Sequence, residues 1–173
     1  QVNEVSTEQV NNQHIEALQL AGVSTWTCEV KNNDLMHEDN YINWCPASEK
    51  ILGYEGQKAL PKNFAALQHI VDASVIERLK EALRGTSRHE QMELEHIIRH
   101  GNGQNRWVKT TIVLQKGNAT RLTGCMMNIH EQKEKMEKLS DYFVKQDLIN
   151  KVLVEAFWDM TVEKGDPVNP NNE

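Results

Sequence analysis

Residues 92–129, MELEHIIRHGNGQNRWVKTTIVLQKGNATRLTGCMMNI, decide the fold. Met92, Leu94, His96 and Ile98 alternate with Glu93, Glu95 and Arg99, which is the period of a half-buried strand. The next four residues, His100-Gly101-Asn102-Gly103, form a hairpin signal, because their glycines accept the positive φ of a tight turn. Trp107–Gln115 predicts a second strand, Lys116-Gly117-Asn118 a second turn, and Leu122–Ile129 a third strand. Three strands joined by such short turns must pair antiparallel.

Upstream, the same alternation returns before the helices begin. Trp26, Cys28 and Val30 alternate with Thr25, Thr27 and Glu29 as a half-buried strand, and Lys31–Asn40 reads as a turn. Tyr41–Cys45 is a short strand, and Pro46 opens a short helix over Ala47–Leu52 that Gly53 stops. Phe64–Ile70 predicts another short helix. Val71–Leu83 predicts an amphipathic one, with Val71, Val75, Leu79 and Leu83 at steps of four. The order predicts an α+β domain over 23–132, a five-stranded antiparallel sheet with short helices on one face. Residues 1–22 predict an N-terminal helix with a narrow apolar stripe at Val10, Ile15, Leu18 and Ala21.

Downstream of Ile129 the period becomes seven. Ile129, Met136, Phe143, Asn150 and Phe157 recur at that step, and Leu139 and Leu153 supply a second seam position. Gln132 and Gln146 weaken the seam, and Asn150 would fix register at some cost in stability. This predicts a coiled-coil linker helix over 133–156 and a parallel homodimer through the helical segments. A helix from Ile129 to Phe157 runs on the order of 40 Å at about 1.5 Å per residue. The alternative is a single helix packed back on its own domain. Phe157-Trp-Asp-Met-Thr-Val-Glu-Lys164 repeats the character of Thr25-Trp-Thr-Cys-Glu-Val-Lys31, so 157–173 reads as the truncated start of a second copy of the domain.

Composition excludes several classes. The 173 residues carry 19 Lys+Arg against 25 Asp+Glu, a net charge of −6, which argues against a nucleic-acid or anionic-membrane partner. No apolar run reaches the roughly 20 residues of a membrane span, so this stretch does not insert directly in a membrane. A chain beginning at Gln1 reads as a cytoplasmic piece of something longer. Three cysteines, Cys28, Cys45 and Cys125, cannot close a disulfide framework. If their strands are neighbours, two of the thiols could meet across strands and sense oxidant; the plainer reading is apolar filler. No phosphate loop, His-Glu-x-x-His, Cys-x-x-Cys or Gly-x-Ser-x-Gly occurs, so no catalytic or metal-ligating residue is assigned and the chain is not read as an enzyme.

Several of these residues together resemble the PAS sensor-domain family over 23–132. They are Trp26 and Glu29 on the first strand, Ile51-Leu-Gly-Tyr54 at a helix end, and Ile70-Val71 with Glu77-Arg78-Leu79 and Glu81-Ala-Leu83. To these add Glu95, Asn102-Gly103, Arg106-Trp107-Val108, Gly124 and Asn128-Ile129-His130-Glu131. The chain departs from the family pattern at Asp72-Ala73, in place of His-Pro, and at Asn128 and His130, in place of Asp and Thr in the exit motif.

The resemblance implies a cytosolic sensory and dimerisation module of a multi-domain bacterial signalling protein, with a downstream output domain in the same chain. The tail looks similar to tandem modules of methyl-accepting chemotaxis transducers. A histidine kinase, a cyclic-dinucleotide enzyme or a ligand-free protein–protein scaffold are the alternatives. Such domains hold haem, flavin, a small metabolite or nothing, and none is expected here as isolated. Residues 55–68 hold no Cys, which excludes the photoactive covalent flavin. The implied pocket, between sheet and helices, would draw on Trp26, Phe64, Leu67, Leu94, Val108 and Met126. A filled core explains these residues equally well. His69 is the axial candidate for a haem, or else a helix-end histidine; His96 reaches the pocket, or else is a neutral core histidine bonded to a carbonyl or hydroxyl.

Overall fold

The structure, a computed structural model, describes residues 16–18, 20–56 and 59–165, with side chains as far as 155. The order is β1 (Val23–Val30), β2 (Ile42–Trp44), α1 (Ser48–Leu52), α2 (Phe64–Leu67), α3 (Ala73–Arg84), β3 (His89–Arg99), β4 (Asn105–Lys116), β5 (Thr120–Asn128) and α4 (His130–Gly165). The five strands pair antiparallel in the order β2-β1-β5-β4-β3, so the last strand lies at the centre of the sheet, between β1 and β4. The α+β architecture expected from the alternation is the one observed.

Register explains the core. Trp44, Trp26, Gly124, Ile112 and Met92 align in one row across all five strands. Cys28, Leu122 and Leu114 form the next row, and Ser24, Met126, Thr110 and Leu94 another. These rows face the helices, as alternation requires. Helix α3 covers them with Val75, Ile76, Leu79, Ala82 and Leu83, all buried. A second cluster, Ile51, Leu52, Leu60, Ile98, Val108 and Met126, joins α1 to the far end of the sheet.

Helix starts follow side-chain caps. The Asn63 side chain accepts the Ala66 N–H at 2.9 Å at the head of α2. Asp72 accepts the Ser74 N–H at 2.8 Å at the head of α3. The sequence predicted that α3 starts at Val71. It starts at Ala73, because Asp72 caps it and Val71 instead bridges to Ile98 of β3. Gly53 ends α1 with φ of 74°, and the Gly101 N–H donates to the Leu52 carbonyl at 2.8 Å, seating the β3–β4 hairpin against the end of that helix.

Helix α4 belongs to a separate unit beginning at Glu131. Its ion pairs at i,i+4, Lys135–Glu131 at 2.6 Å and Lys151–Asp147 at 2.9 Å, lie on an exposed surface. The backbone is helical through Phe157–Lys164, the stretch read as the start of a second copy of the domain. The expected N-terminal helix falls mostly at residues 1–15, outside the described residues; 16–18 and 20 are helical. The tail at 166–173 also lies outside them.

Candidate functional site

Six of the eight candidate side chains come together as core. Trp26, Phe64 and Leu67 are buried in one cluster with Leu94 packed against it, while Val108 and Met126 lie in the second. The Trp26 ring meets Phe64 edge-on at 5.9 Å between centroids and Trp44 at 6.2 Å. Its indole also lies over Gly124, where a Cβ would overlap the ring. Trp26 is 4% exposed and Phe64 fully enclosed. Around Trp26, the space between sheet and helices is therefore taken by aromatic side chains.

The two histidines separate. His69 is exposed just after α2 and stands outside the cluster. His96 is buried on the inward face of β3, with Nε2 2.9 Å from the Thr110 hydroxyl and Nδ1 3.4 Å from the Ile97 carbonyl. That is the neutral core histidine. Burial lowers its pKa, against smaller upward effects from the Ile97 carbonyl and the Asp72 carboxylate. Among the described residues no group of three His, Cys, Asp or Glu side chains converges as a metal would need.

Cys28 and Cys125 lie on neighbouring strands, but not on one face. Cys28 sits in the inward row with Leu122, whereas Cys125 pairs with Thr25 in the outward row. Successive residues of a strand point to opposite faces, so these two thiols cannot meet. Burial pushes the Cys28 thiol up to about 11, which makes it inert filler. Cys45 follows β2; burial raises its pKa, but the Thr25 N–H at 3.1 Å and the Ser48 hydroxyl outweigh that and hold it below the ordinary thiol value.

The sheet exit carries the remaining features. The Asn128 side-chain oxygen accepts the His130 N–H at 2.9 Å, and the Ile129 N–H donates to the Trp107 carbonyl at 3.0 Å. Ile129 itself is buried. The uncharged Asn128 thus performs the capping bond at the start of α4. Beside it opens a cleft of about 460 Å³, lined by Leu20, Pro46, Ala47, Lys50, Ile51 and Asn128, with Gly22 at its rim. Alternation along strands cannot reveal this cleft, since its walls come from a turn, a helix start and a strand end. The nearest sequence signal was the departure at Asn128.

Residues 41–126 match the family model described as the PAS fold. Among solved structures, a sensory box histidine kinase/response regulator from Burkholderia thailandensis is similar with a TM-score of 0.56 at 19% identity, over 80% of this chain and 98% of that one. An RNA-binding light-oxygen-voltage receptor is similar at 0.57 and 15% identity, over 87% of this chain and 41% of that one. The PAS domain of an HTR-like protein from Haloarcula marismortui gives 0.51 and 14%, over 70% and 93%. At these identities the likeness shows the fold. No curated protein matches the chain.

Proposed function

This chain carries a domain of the PAS fold family, and from that premise we propose that it is a cytosolic sensory and dimerisation module of a multi-domain bacterial signalling protein. The observation that carries the reading is the exit junction. Asn128, Ile129 and His130 tie the end of β5 and the Trp107 carbonyl of β4 to the first residue of α4. A displacement of the sheet therefore acts on a helix start through two hydrogen bonds and one buried side chain. Downstream, the apolar seam of α4 is suited to a second copy, so both halves of a dimer receive the change together. Among output classes we favour a methyl-accepting chemotaxis transducer, on the similarity of the tail to its tandem modules. A histidine kinase is the second reading, favoured by the likeness to the sensory box kinase.

The test is hydrogen exchange across α4. Asn128→Ala removes the cap, a loss of about 1 kcal/mol, so amides in the first turns of α4 should exchange about fivefold faster while β1 and β4 stay protected. Unchanged exchange in α4 would mean that this junction transmits nothing. Against a ligand-free scaffold, mass spectrometry of the denatured extract is the discriminating measurement: a co-purified small molecule favours the sensor.

A further inference from the structure

The geometry points to a ligand site outside the domain core, in the cleft beside the sheet exit, for a small carboxylate with an apolar body. The cleft, about 460 Å³, is within the size range of small-molecule sites. Its walls divide by chemistry. Pro46, Ala47 and Ile51 present an apolar floor, with the exposed Leu20 as its outer lip. Among the described lining residues the polar side chains are Lys50 and Asn128, and both offer donors. The Asn128 side-chain oxygen is already engaged by the His130 N–H, which orients the carboxamide and leaves the NH₂ to donate elsewhere. Lys50 supplies an ammonium, which is donor only.

Among the described residues no carboxylate lines this cleft; Glu49 and Glu55 line the neighbouring one, beyond Lys50. Glu49 is there engaged with the Gly56 N–H at 3.2 Å. A cation meets no opposite charge among the described lining residues. A carboxylate finds a positive charge and a neutral donor beside an apolar surface for its tail. The net charge of −6 does not forbid this, since charges beyond about 8–10 Å are screened at physiological salt.

The site deepens the sensory reading, on which its consequence rests: a ligand held by the Asn128 NH₂ touches the residue that caps α4. Binding is tested directly, by NMR titration of the full chain with hexanoate, against hexylamine and hexanol. Hexanoate should give saturable shifts at the Asn128 side-chain amide and the Ile51 methyl groups, and hexylamine none. Lys50→Met should weaken hexanoate at least tenfold. Asn128→Asp, which keeps the capping oxygen and removes the donor, should do the same while the α4 amides keep their wild-type protection. Absence of saturable shifts, equal binding of hexanol, or full binding by Lys50→Met would each overturn the site. Any of these would leave the sensory reading standing, because that reading is tested at the first turns of α4 with no ligand present.

Discussion

At the scale of single residues, one absent side chain and one buried base say most about the core. Gly124 occupies the centre of the sheet row because the Trp26 indole lies on it, and a methyl group there would overlap the ring. Gly124→Ala should therefore cost about 1–3 kcal/mol in urea unfolding, with red-shifted tryptophan emission as the ring is pushed out. A change below about 0.5 kcal/mol would place the indole elsewhere. His96 makes a different demand. Its pKa in the fold is lowered chiefly by burial from the ordinary value of 6.5, so the unfolded chain takes up the proton first. The stability that His96 contributes is complete above about 6.5 and declines as pH falls below it. His96→Gln should flatten that acid limb in a series of unfolding midpoints; an unaltered limb would assign it to other groups. Alternation along β1 and β3 made the burial of Trp26 and His96 legible. It could not show that Gly124 makes room for Trp26, since that contact crosses between strands distant in sequence.

At the scale of elements, apolar spacing located the strands well and misplaced the head of α3. Val71 fits both a helical stripe and a bridge to Ile98, because either position wants an apolar side chain facing the core. The capping bond of Asp72 decides between them, and caps are local chemistry that a periodicity does not weigh. The tail of the same helix has a cap that no local pattern reveals. The Lys116 ammonium, from the end of β4, donates to the carbonyls of Ala82 at 3.0 Å, Leu83 at 2.8 Å and Gly85 at 2.6 Å. These are the carbonyls a helix end leaves without partners, and a cation there also complements the helix dipole. Lys116→Met keeps the stem and removes the donors. It should cost about 1–2 kcal/mol in thermal or denaturant unfolding, with the last turn of α3 exchanging faster. Unchanged stability would mean that water replaces the ammonium at no loss.

At the scale of the whole molecule, the question is what covers α4. Its 36 residues extend about 54 Å at 1.5 Å per residue. The heptad positions Met136, Leu139, Phe143 and Leu153 are 51–63% exposed in the single chain, with Tyr142 and Ile149 beside them. That seam was legible from spacing alone. A further stripe at Val144, Leu148 and Val152, also exposed, was not anticipated, because those residues fall outside the heptad seam. A helix apolar on two sides is suited to burial rather than to a free surface. The seam positions recur at steps of seven, and the partner we propose for them is a parallel second copy, which would meet them position for position. Asn150 would then pair with its own counterpart and hold the two helices in register. Met136→Glu combined with Phe143→Glu sets like charges against each other across that axis. Analytical ultracentrifugation of the intact chain should show a dimer that the double variant converts to monomer, while the β-sheet amides at 23–128 keep their protection from exchange. A monomeric parent chain at high concentration would overturn the coiled coil and leave the seam to a different surface.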